Sequence, residues 1–97
     1  MSAPGDIIAR RILVRGRVQG VFFRNWAVQT AARFGVNGWV RNRGDGSVEL
    51  IACGSPRSVE EMIAACAVGP PAARVEEVIV AEAEKPGVDS FEKRPTL

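Results

Sequence analysis

The sequence predicts an α+β fold, and three observations carry that prediction. Apolar residues alternate as in strands around Ile12 and Val14, Val36 to Val40, Val48 to Ala52, and Val75 to Val80. Two other stretches switch to helical spacing: Phe23, Ala27, Ala31 and Phe34, then Val59, Met62, Ile63 and Cys66. Clusters of glycine and proline stand between these segments and mark where one ends and the next begins.

Taken in order, Ile12-Leu13-Val14 between arginines predicts a first strand over residues 7–15. Gly16-Arg17-Val18-Gln19-Gly20 interrupts it with two glycines and reads as a loop. The spacing then predicts a helix over residues 22–34, with Gly35 where a C-terminal cap belongs. Residues 36–43 form a second strand, with Val36, Gly38 and Val40 on one face and Asn37, Trp39 and Arg41 on the other. Gly44-Asp45-Gly46 is a hairpin turn, because these residues tolerate the positive φ that tight turns demand. A third strand covers residues 47–53. Ser58 and Glu61 have the spacing of a capping box for the second helix, and Gly69-Pro70-Pro71 ends it. Residues 74–83 are a fourth strand, and residues 91–94 a short edge strand before Pro95.

The order strand, helix, strand, strand, helix, strand is that of two split βαβ halves. It predicts the ferredoxin-like sandwich, an antiparallel sheet with both helices on one face. The 97 residues leave room for one domain, expected to span 1–97 with its core over about 7–94.

Composition narrows the chemistry. Apolar residues at 46% and charged residues at 25% are the balance of a globular protein. A net charge of +2 is too slight to point to nucleic acid. Eight arginines, from Arg10 to Arg43, nevertheless fall in the first half while most acids fall in the second, which suits a small anionic ligand bound by the N-terminal half. There is no His and no Tyr, which excludes a Ser-His-Asp triad, a Cys-His dyad and the histidine sites of most catalytic zinc enzymes. Cys53 and Cys66 lack metal-like or CxxC spacing and read as buried core thiols of a reduced compartment. No apolar run approaches the length of a membrane span, and Met1 to Asp6 lacks the apolar stretch of a secretory signal. A cytoplasmic monomer with no membrane partner is the expectation.

The segment between the first strand and first helix is the candidate site. Glycines let successive N–H groups turn inward as a nest, and the following helix offers the positive end of its dipole. An arginine in the first turn adds a planar fork for phosphoryl oxygens. Gly16, Arg17, Val18, Gln19, Gly20 and Val21 make the loop, and Arg24 supplies the fork. By itself such a connection is most often only a turn, since it matches neither the Walker pattern nor the dinucleotide fingerprint.

Gly16-Arg-Val-Gln-Gly-Val-Phe-Phe-Arg24, Gly38-Trp-Val-Arg-Asn-Arg43 and Asp45-Gly46-Ser-Val48 together resemble the acylphosphatase family. The resemblance runs from about Ile12 to Val80 and includes the Gly-Pro-Pro near residue 70 followed by Arg74-Val75. It implies the ferredoxin-like fold reached above, and hydrolysis of the carboxyl-phosphate bond of acyl phosphates with no metal and no cofactor. It implies a small-molecule acyl phosphate as the partner. By the same resemblance the loop holds the phosphoryl group, Arg24 clamps it and Asn42 orients the attacking water. The family varies at the position of Phe22, where some members carry Gly.

Asn42 read without the resemblance is a turn-flanking asparagine. An amide does suit the task, because it accepts from water and donates to a phosphoryl oxygen without changing protonation state. Trp26 and Trp39 read as packing rings, Asp45 as a conformational turn residue, and Arg17 and Arg43 as solvated arginines flanking the site. The competing function is a non-catalytic phosphate or acyl-phosphate binding module on the same fold, since fold alone does not decide function. An RNA-binding sheet would need stacking aromatics on its central strands, and the first and third strands carry none. A metal chaperone would need paired cysteines in the loop that here holds Gly16 to Val21.

Overall fold

The computed structural model describes residues 5–97; residues 1–4, part of the polar N-terminal stretch, lie outside the described residues. The chain runs β1 (Ile8–Arg17), α1 (Phe23–Phe34), β2 (Asn37–Asn42), β3 (Val48–Gly54), α2 (Pro56–Val68), β4 (Arg74–Glu82) and β5 (Phe91–Lys93). The sheet order is β4-β1-β3-β2-β5, so the first and third strands are central, as a split βαβ arrangement requires. The four main strands pair antiparallel. The short β5 adds to the edge of β2 in parallel, which makes the five-stranded sheet mixed.

Alternation along the strands sorts the two faces. Ile12 and Val14 of β1, Val40 of β2, and Val48, Leu50 and Ala52 of β3 meet Phe23, Ala27 and Ala31 of α1 and Val59, Met62 and Cys66 of α2 in one buried cluster. Both helices therefore cover one face. The other face carries Glu49, Arg11 and Arg41, and also Trp39, whose ring lies 4.6 Å from the Arg41 guanidinium and 5.2 Å from that of Arg94.

Three local expectations are corrected. The first strand does not stop at Arg15: Gly16 and Arg17 still pair with Val75 and Arg74 of β4 after a register shift between Arg15 and Gly16. Gly16 holds a φ of 127°, and a Cβ there would collide with the Arg74 carbonyl oxygen, so this glycine serves close strand packing at a bulge. The second helix is not opened by a Ser58–Glu61 capping box. Its N-cap is Ser55, whose Oγ accepts from the Ser58 amide at 3.2 Å, followed by Pro56 in the first turn. Proline suits that position because its fixed φ is helical and its missing N–H is not needed. Glu61 instead pairs with Arg57 one turn away, at 3.2 Å. Arg43, finally, is not a freely solvated arginine, since it bonds Glu49 at 3.2 Å.

Candidate active site

The connection between β1 and α1 is shorter than the sequence suggests, running from Val18 to Phe22. Val18 and Val21 turn into the core and pin the segment from beneath. Gly20 adopts a φ of 73° and Phe22 one of 62°, so two left-handed residues bend the backbone within three positions. For Phe22 that conformation is costly, on the order of 1 kcal/mol, and is held by the surrounding fold. Phe22 is also 79% exposed and, as the N-cap of α1, supplies no side-chain cap.

The electrostatic consequence lies at the start of α1. No acidic residue occupies its first turn, and the first helical amide to find an acceptor is that of Trp26, on the Phe22 carbonyl at 3.0 Å. The amides of Gln19 through Asn25 have no acceptor among the described residues. A run of free N–H groups at the positive end of a helix dipole is an anion cradle. Arg24 sits in that first turn, half-buried, with no ion pair or side-chain hydrogen bond among the described residues.

Gln19 anchors the loop to the hairpin between β2 and β3. Its Nε2 donates to the carbonyl oxygens of Arg43 and Ser47, each at 2.8 Å. The hairpin is itself rigid. Asp45 Oδ1 accepts from the Ser47 amide at 3.0 Å and from its hydroxyl at 2.6 Å, and these bonds hold the Asp45 carboxyl below its ordinary pKa. Asp45 is thus a turn residue, as expected. Asn42 is the last residue of β2 and half-buried.

The outcome is a cavity of about 420 Å³ whose wall includes Val18, Gln19, Gly20, Arg24 and Asn42. Gly16, Arg17 and Val21 do not line it. Gly16 borders a second depression with Asp45 and Ser47, Arg17 is exposed at the end of β1, and Val21 is core. Sequence reasoning missed four other lining residues, Phe22, Phe23, Asn25 and Lys93. Lys93 had a usable signal: it lies two residues beyond the core-packed Phe91 on β5, hence on the same helix-facing side.

Glu49 was missed as well. It is 5% exposed on the open sheet face and accepts from Arg11 at 2.6 Å and from Arg41 at 2.7 Å, with Arg43 at 3.2 Å. Burial alone raises the Glu49 carboxyl, but the hydrogen bonds and charges of Arg11 and Arg41 outweigh it and hold the group below its ordinary pKa. Cys66 is buried as expected and its thiol is pushed up to about 12 by desolvation, which makes it inert core. Cys53, expected in the core as well, is instead half-buried and free, because it alternates with the core-facing Ala52 along β3.

Known proteins are similar to this chain over most of its length. The Rhizorhabdus wittichii acylphosphatase is 52% identical over 92 residues, covering 95% of this chain and 93% of its own. The acylphosphatase of an Acidovorax species is 48% identical over 97 residues and 100% of both chains. Among solved structures, an acylphosphatase from Coxiella burnetii superposes with a TM-score of 0.87 at 35% identity, over 91% of this chain and 93% of that one. The acylphosphatase family model matches residues 10–93. The chain belongs to the acylphosphatase family.

Proposed function

We propose that this member of the acylphosphatase family hydrolyses acyl phosphates by holding the phosphoryl group between the Val18–Phe22 backbone and Arg24 while Asn42 orients the attacking water. The observation that carries the reading is convergence. The loop residues whose amides are uncapped, Arg24, whose guanidinium is unpaired among the described residues, and Asn42 share the wall of one cavity. Gly16, Arg17 and Val21 support that wall from the strand end and the core.

The chemistry follows from charge. The equatorial phosphoryl oxygens gain from the fork and the helix N-terminus, both positioned before reaction, so stabilising the transition state costs no reorganisation. Asn42 accepts a hydrogen bond from water and donates one to a phosphoryl oxygen, placing the water in line. The water oxygen–phosphorus bond forms as the phosphorus–acyl oxygen bond breaks, releasing a carboxylate and inorganic phosphate. A carboxylate is a weak base, so the leaving group requires no general acid. No step requires a metal or a cofactor.

The same reading has one domain acting as a monomer in the cytoplasm on small molecules rather than nucleic acid. Its support is that every group invoked comes from one chain around one core, and that both cysteines are free thiols. The deciding experiment is hydrolysis of benzoyl phosphate in the presence of EDTA. Turnover is expected. Folded protein that binds phosphate without turning over would leave the non-catalytic binding module instead, and activity lost on chelation would refute the metal-free mechanism.

A further inference from the structure

Besides Arg24, one cation among the described residues lines the cavity: Lys93 of β5. Its strand pairs with β2 so that Lys93 lies opposite Val40, two residues before Asn42. The ammonium is exposed and donates to Asn25 Oδ1 at 3.0 Å. That tether is a neutral amide, and no carboxylate lines the cavity or pairs with Lys93 among the described residues. Lys93 therefore holds an uncompensated charge at the cavity mouth, with two further N–H donors to offer.

We infer that Lys93 is a specificity-determining residue that receives a second negative charge, carried on the acyl part of the substrate. This rests on the reading that the loop and Arg24 hold the phosphoryl group. That group already has the Arg24 fork, the uncapped amides and the helix dipole. The cavity of about 420 Å³ falls in the range of whole-ligand pockets, roughly 300–1,000 Å³, and has space beyond a phosphoryl group. Val18 and Phe23 are buried and close its floor, so an acyl chain extends outward past exposed Phe22 and Lys93. A cation on a long flexible stem can meet a carboxylate at variable reach.

The test compares succinyl phosphate, whose acyl part ends in a carboxylate, with benzoyl phosphate, whose acyl part is apolar. Lys93→Met is expected to lower the ratio of their kcat/KM values, succinyl over benzoyl, about two- to fivefold, the size of an exposed charge pair. The change should lie in KM for succinyl phosphate. Lys93→Arg should restore the ratio, and Lys93→Glu should depress it further. A ratio unmoved by Lys93→Met overturns the inference. So does a parallel loss for both substrates accompanied by weaker competitive inhibition by inorganic phosphate, which would put Lys93 in the phosphoryl site. Wild-type protein that hydrolyses neither substrate, or an Arg24→Ala variant that does so normally, would instead overturn the underlying reading of the site.

Discussion

Gln19 and Arg43, 24 positions apart in sequence, are joined by a hydrogen bond of 2.8 Å from the Gln19 Nε2 to the Arg43 carbonyl oxygen. The second N–H of the same amide reaches the Ser47 carbonyl at 2.8 Å. One side chain thus ties the loop before α1 to the strand end that carries Asn42. Gln19→Ala leaves two carbonyls without that donor and is expected to cost about 1–3 kcal/mol of stability. It should also lower kcat for benzoyl phosphate about tenfold or more, because small displacements of positioned groups are costly. Gln19→Glu should be worse, since a carboxylate has no N–H to donate and repels phosphate. Urea unfolding midpoints and benzoyl phosphate kinetics check both.

Arg24→Ala removes the fork without uncovering a buried partner, so the protein should fold normally. Its kcat/KM is expected to fall by about 10²–10³ or more, with competitive inhibition by inorganic phosphate lost in step. Arg24→Lys should remain severely impaired, because an ammonium does not reproduce two parallel N–H bonds. Retained phosphate inhibition in Arg24→Ala would sink the clamp.

Asn42 separates binding from turnover. Asn42→Ala should lose about 10²-fold or more in kcat while keeping its inhibition constant for inorganic phosphate, because the water loses its orientation and the cradle does not change. Near-normal kcat would show that the water is held by something else.

Glu49 predicts a pH dependence of stability. Its folded pKa is depressed, so its contribution is present above the unfolded value of about 4.3 and is lost as pH falls through the folded value. Glu49→Gln should destabilise the protein at neutral pH by about 1–3 kcal/mol, leaving Arg11, Arg41 and Arg43 around a neutral group. The variant should also show a flatter loss of stability below about pH 4.3 than the wild type. Thermal melts across acidic pH measure both effects, and parallel curves for the two proteins would refute the assignment.

Much of this molecule is written locally. Alternation of Val48, Leu50 and Ala52, helical spacing of Phe23, Ala27 and Ala31, and glycine-proline punctuation specify elements because each depends on near neighbours in the chain. Their order then leaves few topologies, and the ferredoxin-like one is observed. The motif around Arg24 and Asn42 is legible for a similar reason, since its residues cluster in two short segments. The position of the second helix cap was less legible, because Ser55 and Ser58 are both competent caps and Pro56 decides between them.

Other features depend on register and packing, which no local pattern contains. The strand continues through Gly16 and Arg17 only because β4 pairs with it there, closely enough that any side chain at Gly16 would strike Arg74. Glu49 acquires three arginine partners only because β1 and β2 flank β3 in one particular register. Lys93 reaches the cavity because β5 adds in parallel to the edge of β2, far along the chain from the motif it joins. Local sequence determined the chemistry of the proposed phosphate site, since the amides, fork and helix end are neighbours along the backbone. Tertiary structure decided which distant charges surround that chemistry, because long-range pairing energies choose among registers that the strands themselves leave open.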